Sequence, residues 1–342
     1  MKLSQQIKDL FPVSKLEIIQ NAFDAAFKDS VIEDVLLIAG GLSSALVYSV
    51  MVNKKKYLLK ITMHTGEYND PKREYACMRI AADHIIAPYV YYSNDGDAVV
   101  ITDFITAIPI SQGFSTHDEL IISLAKSINS IHSLPLFPTY INFLDEVNSF
   151  IERFNDSNMF SESVTAKHRS YFKQIMKVYP CLEKDIVSSH NDLNYGNILF
   201  DGKKIWIIDW DTAFANDRYV DLSLASVSFI KNIKHEELFL EAYFGTELNN
   251  YHRARFFIMQ QVGLMYYAML MLQLANSNTP KGHKHNADMS LPTLTDFYSL
   301  LAGGQMSLDT YEGKLQYGKI LLNVMLKNMQ SHRFEESLNL LK

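Results

Sequence analysis

Two aspartates and an asparagine that could act together stand within twenty residues of one another in this 342-residue chain. His190-Asn-Asp-Leu-Asn-Tyr-Gly-Asn197 carries Asp192 and Asn197 at the spacing D-x-x-x-x-N, and in Ile207-Ile-Asp-Trp-Asp211 an apolar run ends on Asp209. Phosphoryl transfer from ATP asks for such a set. It needs a carboxylate to take the proton of the attacking hydroxyl, and two side chains that hold magnesium on the phosphates. Asn and Asp offer the hard oxygen donors that magnesium prefers. Each piece alone is commonplace, since D-x-x-x-x-N arises by chance and an aspartate closing a strand is often just a turn residue. The joint order of His, Asp, Asn, a short hairpin and a second Asp is far rarer. The set is specific.

The elements that must position these residues can be read from periodicity. Residues 3–28 carry apolar positions at helical spacing (Ile7, Leu10, Leu16, Ile19, Ala22, Ala26) broken at Pro12, which predicts two short helices. From Glu33 the runs VLLIAGG, LVYSVMV and YLLKI, separated by Gly-Gly and by an Asn53–Lys56 turn, predict an antiparallel meander. Asp70-Pro71 pairs a capping residue with a helix-initiating proline and opens a helix to about Ala82. YVYYS and AVVITDF add two strands around the turn Asn94-Asp-Gly-Asp97. Thr116 and Glu119 form a capping-box pattern, and Leu120, Leu124, Ile128 and Ile131 line one face of the helix that follows. Apart from VSSHN through IIDWD, the remainder reads as helix. The expected architecture is α+β: a β-rich lobe over 1–105 with one key helix, then a larger, mainly helical lobe over 106–342, with the two packed closely around a cleft.

Composition narrows the classes. A hydrophobic fraction of 48% and a charged fraction of 20% are ordinary for a globular enzyme. A formal charge of −6 argues against a nucleic-acid binder and suits a small cationic substrate. Cys77 and Cys181 stand in no metal-ligand spacing and read as buried thiols in a reducing, cytoplasmic compartment. The N-terminus lacks the apolar core of a secretory signal. Phe256 to Leu274 is apolar but interrupted by Gln260, Gln261 and Gln273, which favours a buried helix over a membrane span.

With these motifs in place, the sequence resembles the aminoglycoside phosphotransferase and choline/ethanolamine kinase superfamily, which shares the protein-kinase fold. Members carry H-x-D-x-x-x-x-N and an I-D-[WFY], as His190–Asn197 and Ile208–Trp210 do. LAKSINSIHSLP (Leu124 to Pro135) is similar to the helix that precedes the catalytic loop, and AGGLSSALVYSV (Ala39 to Val50) to the phosphate loop of choline kinases. The resemblance implies a two-lobed kinase-like fold with ATP and Mg2+ as cofactors. It implies Asp192 as base, and Asn197 and Asp209 as metal ligands. For ATP it implies Gly40, Gly41, Ser43 and Ser44 at the phosphates, Lys60 on the third strand paired with Glu74, and a Thr102-Asp103-Phe104-Ile105 hinge. His190 takes a structural role; Trp206 and Ile207 read as strand core, and Lys54, Lys55 and Lys56 as solvated turn residues.

The acceptor is approached by elimination. Asn194 stands where Ser/Thr protein kinases carry lysine, and no A-P-E segment follows Asp209, so a protein substrate is disfavoured. Asp211 beside Trp210, with Asp221, Tyr219, Tyr266 and Tyr267, forms a candidate receptor for an ammonium. Taken singly, the tyrosines read as packing residues and Asp221 as a helix cap. Choline kinases tend to carry tryptophans in a late helix where this chain has Tyr266 and Tyr267. The acceptor class therefore spans choline- or ethanolamine-like amino alcohols and aminoglycoside-like amino sugars. A pseudokinase-like nucleotide-binding module and a protein kinase are the alternatives. No nucleic-acid partner and no membrane span are expected. His283 and His285 in Lys-Gly-His-Lys-His read as a solvated polar loop rather than a metal site.

Overall fold

The computed structural model describes residues 4–342 except 29, 39–44, 68, 278 and 281. It divides into two units, one of residues 1–139 with 187–215 and one of 140–186 with 216–342. Gly40, Gly41, Ser43 and Ser44 lie outside the described residues.

The first unit opens with α1 (Gln5–Lys8) and α2 (Leu16–Phe27), separated at Pro12 as the periodicity predicts. A five-stranded antiparallel sheet follows, of β1 (Ile32–Leu37), β2 (Leu46–Val52), β3 (Lys55–Ile61), β4 (Val90–Asn94) and β5 (Val99–Asp103), in the order β1-β2-β3-β5-β4. Ile19, Ala22 and Phe23 of α2 bury against Tyr48, Val50, Leu59 and Ile101 of the sheet. The β2–β3 turn is tighter than expected. Asn53 and Lys54 take φ of 50° and 62°, the left-handed pair of a two-residue hairpin, so Lys55 and Lys56 belong to β3. Lys55 is also no free surface charge, for its Nζ meets Asp103 at 2.7 Å and the Tyr91 hydroxyl at 2.8 Å.

Helix α3 (Pro71–Asp83) starts on Asp70, whose side chain accepts from Lys72 N. Such a cap contributes about 1 kcal/mol. Helix α4 (His117–His132) is capped by Thr116, but Glu119 Oε2 accepts from Ser115 N, one residue outside the expected box. The unit is completed by β6 (Ile186–Ser189) from Val187 on, β7 (Ile198–Phe200), β8 (Ile205–Ile207) and β9 (Phe214–Asp217) as far as Ala215, paired β6 with β9 and β7 with β8. Gly113 is required beside this hairpin, since a Cβ there would stand 2.3 Å from the Phe200 ring.

The second unit holds α5 (Phe143–Asp156), α6 (Glu162–Val178), α7 (Arg218–Phe229), α8 (Ile233–Phe244), α9 (Asn250–Ser277), α10 (Leu294–Ala302), α11 (Tyr311–Met329) and α12 (His332–Leu341). Helix α9 is long and apolar enough to cross a membrane by composition, yet 72% of its most apolar window is buried inside the protein. It packs against α5, α7, α11 and α12, which explains an apolar surface on every side. The helical reading of the C-terminal third needs one correction. Residues 279–293 contain no helix or strand among those described. Pro280, Gly282 and Pro292 break it, and its polar residues leave no apolar face to bury. Cys77 is buried as expected, whereas Cys181 is exposed beside Pro180, just before the short turn that leads into β6.

Candidate active site

The candidate site is built in the first unit by main-chain stitching between two loops. His190 Nε2 donates to Ile208 O at 2.9 Å while its Nδ1 accepts from Asp192 N at 3.3 Å, and those two bonds define one tautomer. Asn191 stands at φ 64° and gives its side-chain amide to Thr212 O at 3.0 Å and Phe214 O at 3.3 Å. Thr212 Oγ1 returns a bond to His190 O at 3.0 Å, and Ile208 N donates to Asn197 O at 3.0 Å. The loop bearing Asp192 is thereby tied to the turn bearing Asp209. Both ring nitrogens of His190 face main-chain groups.

Asp192 is held from its own loop. Asn197 Nδ2 donates both to its main-chain oxygen and to its Oδ2, each at 2.9 Å, and Asn194 Nδ2 reaches the same Oδ2 at 2.9 Å. Asn194 Oδ1 accepts from Gly196 N at 2.7 Å, which shapes the turn between the two asparagines. Because Asn197 commits its N–H to Asp192, its carbonyl Oδ1 is the atom suited to a cation.

Asp209, two residues past β8, stands in the left-handed region, φ 64° and ψ 69°, a conformation that aspartate tolerates better than most residues. Its Oδ1 meets Lys60 Nζ at 2.7 Å, and Lys60 meets Glu74 Oε1 at 2.9 Å. The expected Lys60–Glu74 pair is present, and both residues are buried. Burial opposes the charge on Lys60, but Asp209, Glu74 and Asp211 together hold the ammonium above its usual range. Burial likewise opposes ionisation of Asp209, yet Lys60 outweighs it and holds the carboxyl below its ordinary value. Protein surrounds that carboxylate on most sides although 37% of the side chain still reaches solvent. Glu74 is more enclosed, and burial pushes its carboxyl up against the pull of Lys60. Burial and then the charge of Asp209 push Asp211 up to about 7, with Glu74 and Asp192 adding to the effect. Four carboxylates, Glu74, Asp192, Asp209 and Asp211, therefore share one electrostatic neighbourhood, and Asp209 with the amide oxygen of Asn197 offers the hard oxygen donors a magnesium ion would need.

Arg73 was not singled out from the sequence. Its Nη2 donates to Asp211 O at 3.0 Å from α3, and Cys77 Sγ reaches Ala213 O at 3.5 Å, so α3 braces the Asp209–Ala213 turn. An arginine one residue before Glu74 in an otherwise buried helix face was the available signal. Thr102 and Asp103 end β5; the Asp103 side chain turns to Lys55 and Tyr91, and Phe104 lies under Lys56 Nζ at 5.6 Å.

Several proposed acceptor contacts are corrected. Trp210 is 1% exposed, donates Nε1 to Ile207 O, and packs edge-on against His190 and Phe137, so it offers no face to a ligand. Trp206 is the converse: it is half-buried on the hairpin surface, bonded to Asp201 at 2.8 Å, because it alternates outward between buried Ile205 and Ile207. Within the second unit Tyr219 is fully buried with its ring 4.7 Å from the Arg255 guanidinium. Asp221 is fully buried inside α7, whose cap is Asp217, accepting from Tyr219 N at 3.0 Å. Tyr267 is buried, and Tyr266 is half-buried between Phe143 and Phe150.

Comparison with known proteins decides the family. A model described as "Phosphotransferase enzyme family" (APH) matches residues 34–257, more than half of the chain. The chain belongs to the phosphotransferase enzyme family. That match spans Lys60, Glu74, Asp192, Asn197 and Asp209. Among curated relatives, the chain is 25% identical over 198 residues to an aminoglycoside 3'-phosphotransferase of Acinetobacter baumannii, covering 54% of this chain and 76% of that protein. A Metamycoplasma hominis protein described only as uncharacterised is 27% identical over 122 residues, 35% of this chain, and the match spans 23% of that relative's length. Structural likeness extends further. A choline/ethanolamine kinase family protein of Mesorhizobium loti aligns with TM-score 0.64 at 18% identity, covering 95% of this chain and 98% of that one. A choline kinase of Cryptosporidium parvum aligns with TM-score 0.68 at 13% identity, covering 95% and 97%. A spectinomycin phosphotransferase solved with ADP and spectinomycin aligns at 0.54 and 15% identity, covering 89% and 98%. The α+β, kinase-like fold expected of the chain is thus the fold it has.

Proposed function

We propose that the chain is an Mg-ATP-dependent kinase that moves the terminal phosphoryl group onto a hydroxyl of a small, polar, cationic molecule. The acceptor class is a choline- or ethanolamine-like amino alcohol or an aminoglycoside-like amino sugar. One arrangement carries the reading: Asp192, oriented by Asn194 and Asn197, is stitched to the turn whose Asp209 meets the Lys60–Glu74 pair.

Asp192 would receive the proton of the acceptor hydroxyl as its oxygen attacks. Asn197 Oδ1 and the Asp209 carboxylate would hold magnesium, which when bound neutralises charge on the phosphate oxygens. Lys60 is kept cationic by its carboxylate neighbours and would lie on the nucleotide phosphates, with Glu74 fixing its ammonium. Gly40, Gly41, Ser43 and Ser44 would approach the phosphates, and main-chain groups of Thr102 to Ile105 would meet adenine. In this reading 1–105 supplies nucleotide contacts and 106–342 the catalytic and acceptor groups. Asp211, half-exposed among three other carboxylates, supports a cationic acceptor. Free Cys77 and Cys181 fit a reducing, cytoplasmic setting.

The test is an ADP-release screen over choline, ethanolamine, amino sugars and sugar alcohols, with Asp192→Ala as control. The variant should bind nucleotide normally and lose about 10²–10⁴ in turnover, the range for a removed general base. Near-native turnover by the variant would refute Asp192 as base.

A further inference from the structure

The irregular segment 279–293 in the second unit is fastened to α11. Lys319, 1% exposed, donates Nζ to Asn286 O at 3.0 Å, and Asn323 Nδ2 donates to Met289 O at 2.9 Å. The same anchorage brings three rings together. His283 and His285 stand with centroids 4.8 Å apart at 74°, and the Tyr311 ring lies 5.4 Å from the first and 5.9 Å from the second. The loop is solvated, as Lys-Gly-His-Lys-His alone implies, with His283 exposed and His285 half-buried, but its two imidazoles face one another and Tyr311.

We propose that His283 and His285 form a binding site for a borderline transition cation of the Cu2+ or Zn2+ class, separate from any magnesium held by Asn197 and Asp209. Two imidazoles bound to one ion through nitrogens at ~2.0–2.1 Å hold their ring centres about 4.5–5.5 Å apart, and the observed separation falls in that span. The chemistry of the donors excludes a hard ion and favours one that accepts imidazole nitrogen. His285 Nδ1 lies 3.0 Å from the Tyr311 hydroxyl. Donation of Nδ1–H to that oxygen leaves the Nε2 lone pair for a metal, the outer-shell arrangement that orients metal-binding histidines. No bond to Nε2 of His285 or to either His283 nitrogen is seen among the described residues. The anchorage by Lys319 and Asn323 means little chain ordering is required on binding. Waters would complete the coordination.

The experiment uses the full chain with any affinity tag removed and magnesium in large excess, so that oxygen-donor sites are filled. Zn2+ is titrated by calorimetry and Cu2+ is followed by electron paramagnetic resonance. One equivalent of Cu2+ should bind with nitrogen hyperfine structure. His283→Gln or His285→Gln should weaken both ions at least tenfold, and Tyr311→Phe about tenfold, the lower end of the loss for an outer-shell partner. His283 is exposed, so its variant keeps the fold and the test informative even if His285→Gln is unstable. The absence of one-equivalent saturable binding, or unchanged binding by the double histidine variant, would overturn the proposal.

Discussion

Lys60 stands between carboxylates that differ in what surrounds them. Glu74 is enclosed and keeps its single pairing, whereas Asp209 retains solvent access and is bonded through only one oxygen to the ammonium. That asymmetry gives the two acids different tasks: Glu74 fixes the lysine, and Asp209 can turn toward a divalent cation. Asp209→Asn keeps an acceptor for Lys60 but removes the charge. Its expected effect is a rise in the magnesium concentration needed for nucleotide binding by about tenfold or more, since even outer-shell partners of metal ligands cost that much. Titration of nucleotide binding against magnesium checks it, and an unchanged requirement would remove Asp209 from the metal role.

Helix packing sets a different class of effect. Gly318 of α11 lies so close to α9 that a Cβ would stand 2.7 Å from Leu272 Cγ and 3.0 Å from Ala268 O. Alanine gains about 1 kcal/mol in helix propensity, but overpacking costs ~1–3 kcal/mol, and a main-chain carbonyl cannot yield as a side chain can. Gly318→Ala is therefore expected to lower the unfolding free energy by about 1 kcal/mol, read from the denaturant midpoint. His168 of α6 donates Nε2–H to Leu322 O of α11 at 3.0 Å, and its buried Nδ1 has no partner. Burial lowers its pKa from 6.5. The unfolded chain then binds a proton that the native chain refuses, so this contribution to stability is present above 6.5 and is lost as pH falls through the lower native value. The difference in unfolding midpoint between wild type and His168→Gln should change with pH across that window; a constant difference would contradict it.

On the scale of the molecule, the second unit gathers distant segments around one cation. Arg255, with no solvent exposure, bonds Asp185 and Asp217 at 2.5 Å each and lies 4.7 Å from the rings of Tyr179 and Tyr219. Arg255→Met leaves the buried Asp217 without its counter-ion, while Asp185 keeps Arg218 Nε at 3.3 Å, and should cost about 3–5 kcal/mol, measured by chemical denaturation. Asp217→Asn in the same background should recover part of the loss, because the uncompensated charge is what costs most. No recovery would place the loss in packing.

Beyond the Lys60–Glu74 pair that the family resemblance implied, the chain's linear order was enough to determine the main elements outside 279–293 and the grouping of Asp192, Asn197 and Asp209. Those features depend on short-range signals: period-two and period-3.6 patterning, a Pro-led helix, and a loop and hairpin only twenty residues long. What tertiary structure decided was the environment of each side chain. Trp210, Tyr219 and Asp221 carry the right chemistry for an ammonium receptor, but neighbours from remote segments enclose them, and burial is a property of those neighbours. The same reason applies to His283 and His285, whose spacing alone describes a polar loop. Their convergence on Tyr311 depends on carbonyls held by Lys319 and Asn323, thirty-three and thirty-four residues away from the atoms they bind. Local spacing can specify which groups a loop carries; long-range packing determines whether water, protein or a ligand will meet them.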